Sequence, residues 1–259
     1  MRTSTFIAAS VAALLSAGAA SAQEAPERHW SFDGIFGTFD RGALQRGFQV
    51  YNDVCSTCHS MRQLYYRNLM EIGLTEEQVK TIAASKEIDD GPDDEGKMFT
   101  RPGRPSDRFK SPFANAKAAA FANNGATPPD LSLIVKAREG GANHVFGVLT
   151  GFKQPAPAAN APENLCHVEV REGQYYDAAM PGCVIAMPPP LQDDSVKYAD
   201  GTHATLEQEA ADVSTFLAWA AEPELEARHR LGVKVVLFLF ILTGMMFAVK
   251  KKVWKDIKH

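Results

Sequence analysis

The sequence predicts a mainly α-helical domain that is exported from the cytoplasm and tethered by one membrane-spanning helix near the C-terminus. Three observations favour this fold class. Apolar residues recur at helical spacing in the ranges 40–54 and 206–221, an apolar run closes the chain, and the N-terminus has the pattern of a secretory signal. The formal net charge of −4 over 259 residues is mild, and nothing in it indicates a nucleic-acid partner.

The first residues, 1–22, have the three parts of a cleaved secretory signal peptide. Arg2 supplies the positive charge, a short apolar core covers 6–17, and the A-x-A pattern at 20–22 is a cleavage site. The apolar core is too short for a transmembrane anchor, and a mitochondrial transit peptide would carry several arginines. We therefore expect the mature chain to begin near Gln23 in an oxidising bacterial periplasm.

The exported domain, 23–228, is expected to be built around two helices. The first follows an N-cap at Asp40 and runs to about Val54, and the last covers 206–221 and packs across it, with Gly47 marking a close crossing. The remaining helices are expected at 61–72, after the capping sequence that starts at Thr75, at 115–123, at 131–139 behind an N-cap at Asp130, and at 145–152.

The segments between these helices are expected to be long and irregular. An extended arm covers 24–37, the proline-containing stretch 99–112 wraps the domain, and 154–162 is a linker. The stretch 87–95 is strongly acidic. Such a run is either an ordinary solvated loop or an electrostatic landing patch for a basic partner.

Cys55-Ser-Thr-Cys58-His59 follows the first helix directly and is typical of c-type haem attachment. Thiols at this spacing reach both vinyl groups of one porphyrin, and His59 then lies under the iron as an axial ligand. A thioredoxin-like redox pair would need a βαβ context, and a structural zinc site would need a second close pair, which Cys166 and Cys183 do not form. The motif thus predicts one covalently attached haem c in a c-type cytochrome fold with long loop insertions.

The second axial position decides whether this haem carries electrons or keeps an open site. Met187 precedes three prolines, so it cannot lie inside a helix and would present its thioether from a stiff extended strand. Core packing is the commoner fate of a methionine. Met180 and the histidines at 29, 144, 167, 203 and 229 therefore remain as alternatives.

Cys166 and Cys183 are expected to form a disulfide, because the periplasm is oxidising. The bond would close a loop of about 17 residues and contribute about 3 kcal/mol in the chain-entropy model. A hairpin-like insertion with Tyr175 and Tyr176 lies between the two cysteines. Two free buried thiols are the alternative.

The apolar run from Leu231 to Val249 is broken only by Lys234 near its start. As a helix it reaches about 28 Å, enough to cross a hydrocarbon core of about 30 Å. We expect an anchor helix over 229–250 and, because lysines follow directly, a basic cytoplasmic tail over 251–259. These lysines argue against the alternative of a buried core helix.

Six stretches, taken in order, resemble the cytochrome c1 family of the cytochrome bc1 complex, the ubiquinol–cytochrome c oxidoreductase. They are Cys55–Met61, Asp94–Gly103, Asn123–Ser132, Ala137–Gly141, Met187–Leu191 and Trp219–Pro223. The resemblance covers nearly all of the mature chain and is weakest around Cys166 and Cys183. It implies that Cys55 and Cys58 form thioether links and that His59 and Met187 are the axial ligands.

The resemblance also implies further contacts with the haem. It places Asn123 and Arg138 near the propionates and Pro129 against the haem. A guanidinium pairs well with carboxylates. An arginine at a helix C-terminus is, however, also favourable with the helix dipole alone.

The family implies a chain without a substrate site of its own, which works as an electron-transfer subunit. Its electron would come from the Rieske iron–sulfur protein and pass to a soluble or tethered cytochrome c. The chain would sit beside cytochrome b in a dimeric complex of the bacterial inner membrane. Two alternatives remain: a tethered monohaem carrier outside any such complex, and a haem enzyme with an open distal site.

Overall fold

Helices dominate the computed structural model, which describes residues 27–153 and 168–256. The α-helices of these residues are α1 (Arg41–Asp53), α2 (Glu76–Ala84), α3 (Ala116–Ala122), α4 (Gly141–Thr150), α5 (Leu206–Ala221) and α6 (Leu225–Val253). Short 3-10 helices cover Cys55–Thr57, Tyr66–Ile72 and Pro181–Cys183. Two antiparallel pairs of strands complete the list, β1 (Glu87–Asp90) with β2 (Phe99–Pro102) and β3 (Tyr175–Tyr176) with β4 (Val184–Ile185). The predicted mainly helical fold class is confirmed.

Helices α1 and α5 cross at very close range in the centre of the domain. A Cβ atom on Gly47 of α1 would lie 2.0 Å from the carbonyl oxygen of Asp212 in α5. Only glycine therefore lets the two backbones approach this closely. Phe48 and Tyr51 of α1 pack edge-on or tilted against Phe216 of α5. The predicted crossing at Gly47 is confirmed.

A buried ion pair fixes the register of this crossing. Arg46 donates to both carboxylate oxygens of Asp212, at 2.8 and 3.0 Å, and to Asp200 at 2.9 Å. Asp212 is only 2% exposed, and its hydrogen bonds raise the pKa of Arg46 above the usual value. A bidentate guanidinium–carboxylate pair constrains both rotation and sliding of the helices.

Two predicted helices are replaced by other structure, and in the first of them a distant segment pairs with the chain. Over 61–72 only Tyr66–Ile72 is helical, as a 3-10 helix, because Leu64 and Tyr66 exchange backbone hydrogen bonds with Phe109 and Asp107. Over 131–139 the chain forms a series of turns instead of a helix. The next helix, α4, begins at Gly141, directly after Gly140 in the left-handed conformation. This is four residues before the predicted start at position 145.

The first four residues of the acidic stretch 87–95 form a strand, and its remaining residues form a loop. β1 pairs with β2, so the prediction that 99–112 has no regular structure is wrong for its first four residues. Arg101 on β2 forms ion pairs with Asp90 and Asp107, and its guanidinium lowers the pKa of Asp90. The ion pair of Asp90 and Arg101 joins the two strands diagonally and adds to their backbone pairing.

The long helix α6 leaves the domain through the region predicted as a connection and a membrane anchor. It is the one helix of the described residues that is long and apolar enough to cross a membrane, and its apolar part is not buried. Other predictions lie outside the described residues: the signal peptide 1–22, the linker 154–162, Cys166, His167, and the last residues of the tail.

Candidate haem site

The attachment motif sits on a tight turn at the end of α1. The 3-10 helix Cys55–Thr57 follows the α-helix after one residue, and the His59 N–H donates to the Cys55 carbonyl at 2.8 Å. Cys55 and Cys58 are partly buried free thiols, and burial raises the pKa of Cys55 to about 12. Neither thiol is used in a disulfide, so both are available to form thioether bonds with vinyl groups.

His59 is held through one ring nitrogen, which leaves the other available. Its Nδ1 lies 2.8 Å from the carbonyl oxygen of Pro129. A carbonyl oxygen only accepts, so Nδ1 must carry the proton and Nε2 must present its lone pair. Burial lowers the pKa of His59, which also favours the neutral imidazole. This is how axial histidines are usually oriented by a second contact.

The loop that carries Pro129 is fastened to the residues after His59 by Asp130. One carboxylate oxygen of Asp130 accepts from Ser60 Oγ at 2.7 Å and from the Arg62 N–H at 2.9 Å, and the other accepts from the Ser132 N–H at 2.9 Å. Burial alone would raise the pKa of Asp130, but these hydrogen bonds lower it. The predicted role of Asp130 as the N-cap of a helix is therefore wrong. It clamps two loops together.

Two further hydrogen bonds complete this clamp between the loops. The Leu131 N–H donates to the Ser60 carbonyl at 2.8 Å, and the Gln63 N–H donates to Ser132 Oγ at 3.0 Å. Because Pro129 directly precedes the clamp, its carbonyl is fixed opposite His59. The family resemblance predicts that Pro129 lies against the haem. Its observed contact is the hydrogen bond that its carbonyl oxygen accepts from His59 Nδ1.

We expect Asp130→Ala to destabilise the protein by about 2–4 kcal/mol. The hydroxyl of Ser60 and the backbone N–H groups of Arg62 and Ser132 would lose their acceptor, and this acceptor is partly buried. The haem content per chain should fall with it. Asp130→Asn keeps the size and one acceptor oxygen and should have a smaller effect. Urea unfolding of the purified protein measures the loss, with Asp94→Ala, an exposed carboxylate, as control. A loss no larger than that of Asp94→Ala would contradict the clamp.

The candidate second ligands differ in their surroundings. Met187 is half-buried in a bend between β4 and the prolines, and Pro189 and Pro190 line a cavity with Leu149 and Leu206. Met180 is held in a local turn by hydrogen bonds of its backbone with Asp177 and Cys183. The assignment of Met187 as a ligand stays a prediction.

The two residues expected near the propionates lie on separate segments. Asn123 ends α3 and donates through Nδ2 to the Ala119 carbonyl at 2.7 Å. Arg138 is exposed, lies in the turns before α4, and forms no ion pair within the described residues. Together with burial, its charge lowers the pKa of His144. Because Arg138 does not end a helix, the alternative based on a helix dipole is wrong.

Comparison with known proteins identifies the family. The model of the cytochrome C1 family matches residues 30–257. A cytochrome c1 of Rhodospirillum rubrum is 51% identical over 253 residues, which cover 93% of this chain and 93% of that protein. A mitochondrial cytochrome c1 haem protein of Arabidopsis thaliana is 47% identical over 235 residues, covering 91% of this chain and 74% of that protein.

A third relative is a longer protein whose name combines cytochrome b and cytochrome c1. The cytochrome b/c1 of Bradyrhizobium diazoefficiens is 48% identical over 252 residues, which cover 89% of this chain but 36% of that protein. This chain thus matches one part of a longer relative and nearly all of the Rhodospirillum protein. With the attachment turn, the positioned histidine and matches of this extent, the chain belongs to the cytochrome c1 family.

Proposed function

We propose that this chain is the haem-bearing electron carrier of a cytochrome bc1 complex, anchored in the membrane by α6. It accepts one electron from the Rieske iron–sulfur protein and passes it to a soluble or tethered cytochrome c. The observation that supports this best is the pair of free thiols beside a histidine whose Nδ1 is engaged by Pro129. In a chain of this family, such an arrangement fits one covalently attached haem c.

The roles of the side chains follow from their chemistry. When bound, the haem supplies a one-electron iron couple. Cys55 and Cys58 would hold the porphyrin through thioether bonds, and His59 would offer Nε2 to the iron, with its tautomer fixed by Pro129. Met187 would offer a soft thioether, which favours the reduced iron and raises the potential. With His59 and Met187 both as ligands, the iron would keep no open position for a substrate.

Two polar residues are proposed to hold the haem propionates. Arg138 is exposed and free of carboxylate partners within the described residues, so its guanidinium can pair with a propionate. Asn123 offers an amide at the end of α3. The test is the pH dependence of the midpoint potential of the haem. If Arg138→Gln alters this dependence and Lys136→Gln does not, the result would support this placement.

The proposed topology places the haem domain in the periplasm. The signal peptide 1–22 is removed, the domain 23–228 is exported, the anchor 229–250 crosses the inner membrane, and the tail 251–259 stays in the cytoplasm. Lysines at 250, 251 and 252 end α6, as the positive-inside rule favours. The relative named cytochrome b/c1 supports a position beside cytochrome b. The proposal also includes a dimeric complex, which rests on the family resemblance alone.

A disulfide between Cys166 and Cys183 is part of the proposal for the periplasmic domain. Cys183 is buried beside the β3–β4 pair, at 1% exposure, and Cys166 lies outside the described residues. Peptide mass analysis without reduction tests the bond directly. Two separate peptides that both react with an alkylating reagent would contradict it.

Purification of the membrane complex tests the function. We expect a reduced absorption spectrum of c-type haem, one haem per chain, and co-purification with cytochrome b and an iron–sulfur protein. Purification of the chain without those two subunits would favour a tethered carrier outside a complex. Binding of carbon monoxide to the reduced wild-type protein would favour a haem enzyme and would remove Met187 as ligand.

The acidic hairpin patch, defined here as Glu87, Asp89, Asp94 and Glu95, is exposed and is proposed to attract a basic cytochrome c. Asp90 is not included because Arg101 neutralises it, and Asp93 is not included because it accepts backbone N–H groups of its own loop. Glu87 and Asp89 lie two residues apart on β1, so they share one face of the strand.

Neutralising the acidic hairpin patch with amides should slow reduction of a basic cytochrome c by about tenfold or more at low salt, since charge steering raises association rates by that order. The difference should shrink as ionic strength rises, because salt screens exposed charges. Stopped-flow kinetics over a salt series measure it. The matched control neutralises four exposed carboxylates on other elements: Glu77, Glu169, Glu172 and Glu207. Equal rates for the two variants would contradict a landing patch here.

A further inference from the structure

The N-terminal arm carries an exposed apolar tip. Ile35 is 69% exposed and Phe36 is 77% exposed, whereas the neighbouring Trp30 and Phe32 pack against the core. Leaving two large apolar side chains in water costs free energy in proportion to their area. Adjacent exposed apolar residues of this size often mark a contact with another surface.

The shape of this tip is fixed by its own hydrogen bonds. The Asp33 N–H donates to the Trp30 carbonyl at 3.0 Å, and the Asp33 carboxylate accepts from the Trp30 N–H at 2.8 Å. The Gly37 N–H donates to the Gly34 carbonyl at 3.2 Å, which closes the turn around Ile35 and Phe36. The apolar side chains are therefore presented by a defined turn.

Three contacts fasten the residues after the tip to the first turns of α6. Glu226 accepts from the Phe39 N–H at 2.8 Å and from Arg41 at 2.9 Å. His229 Nδ1 lies 3.4 Å from the Gly37 carbonyl oxygen. The position of the tip relative to α6 is thus set by contacts at both ends of the helix turn 226–229.

These contacts place the tip beside the start of the apolar run. His229 precedes Leu231 by two residues, which is about 3 Å along the helix axis. Phe36 directly precedes Gly37 in the chain, so their Cα atoms are about 3.8 Å apart. The headgroup layer on each side of a bilayer is about 5–7 Å thick. The tip therefore lies within reach of that layer. Arg230, which follows His229 on α6, offers an exposed cation for phosphate groups.

From these positions we propose that the tip formed by Gly34, Ile35 and Phe36 inserts into the phospholipid interface on the haem-domain side. The inference rests on the proposed membrane crossing of α6. Interfacial membrane contacts are driven by burial of apolar side chains at the boundary of headgroups and acyl chains, and a cation such as exposed Arg230 adds attraction to anionic headgroups. The chain then meets the membrane at two points, the anchor and the tip, and this limits tilting of the haem domain about the anchor.

Photo-crosslinking in native membranes tests the tip directly. Phe36 is replaced by the photoreactive amino acid p-benzoylphenylalanine in the full-length chain within the assembled complex. The control carries the same replacement at Phe121, which is 93% exposed and lies on α3. Both positions are exposed, so the haem content per chain should equal that of the wild type. After irradiation, the peptide with position 36 should gain the mass of one phospholipid, and the peptide with position 121 should not.

The outcomes separate this proposal from the anchor. A crosslink from position 36 only to a protein chain, or lipid adducts no more frequent than at position 121, would overturn insertion of the tip. Extraction of the same membranes with alkaline carbonate tests α6 independently. If the chain stays in the membrane without a lipid adduct at position 36, only the tip proposal fails. Release of the chain overturns both proposals.

Discussion

Replacing Met187 with leucine is expected to lower the reduction potential of the haem by on the order of 0.1–0.3 V, a fraction of the range of about 0.8 V that axial ligands span. Leucine keeps the apolar volume of methionine but has no sulfur, so the oxidised iron is no longer disfavoured by a soft ligand. The reduced variant should also bind carbon monoxide at the position that the thioether leaves. Redox titration and optical spectroscopy of the purified complex measure both effects.

Met180→Leu is the matched control for this ligand, because Met180 is the other methionine that precedes a proline. Its backbone is held in a turn with Asp177 and Cys183, and we expect the potential to stay at the wild-type value. The opposite pattern, an unchanged potential in Met187→Leu and a lowered one in Met180→Leu, would exchange the two assignments. Unchanged potentials in both variants would point to a histidine.

The second large effect is expected at the crossing of α1 and α5. Gly47→Ala puts a Cβ where the Asp212 carbonyl oxygen is only 2.0 Å away, and a backbone atom cannot move aside like a side chain. The two helices must separate, which should cost about 3 kcal/mol or more of the free energy of unfolding. Separation also strains the buried pair of Arg46 and Asp212. Denaturant unfolding of the holoprotein measures the loss.

Gly42→Ala provides a control in the same helix. A Cβ at Gly42 meets only side-chain atoms, at 3.2 Å from Asp40 and 3.4 Å from Arg46. Alanine is a better helix former than glycine by up to about 1 kcal/mol. We therefore expect a change within about 1 kcal/mol of zero. A loss in Gly47→Ala no greater than in Gly42→Ala would show that the crossing can relax.

Elements whose information is local could be predicted from the sequence. Asp40 caps α1 through the Ala43 N–H, and Thr75 caps α2 in a capping box, because side-chain capping depends on residues three apart. The ends of α5 were also predicted, since its apolar periodicity covers the whole helix. The length and composition of α6 identified it without any knowledge of its surroundings.

Elements that depend on distant partners could not be predicted. The pairing of residues 64–66 with 107–109 replaces the first turns of a helix that looked regular in the sequence. The sequence of β1 predicts a charged loop, and its strand forms by pairing with β2, which lies nine residues further along the chain. Likewise, the carboxylate of Asp130 is engaged by Ser60 and Arg62 across about seventy positions of the chain, and no local pattern reveals that contact.

In the candidate site, too, the local features could be predicted from the sequence and the contacts between distant residues could not. The attachment motif is contiguous, so the two cysteines and His59 were identified without the fold. The hydrogen bond from His59 to Pro129 joins residues seventy positions apart, and proximity of Pro129 to the haem was expected only from family resemblance. The Asp-x-Ser spacing at 130–132 was the one available sign of a side chain that turns back on its own backbone.

Helix α1 connects α6 to the Cys55–His59 motif. Arg41 at its first position pairs with Glu226 of α6, and Cys55 follows its last residue closely. Thirteen residues of α-helix span about 20 Å, so the number of residues in α1 sets how far the Cys55–His59 motif stands from the start of α6. Under the proposed function, a haem on this motif would be held at a fixed height above the membrane. Electron tunnelling depends steeply on distance, so the proposed partners would have to approach the haem at that height.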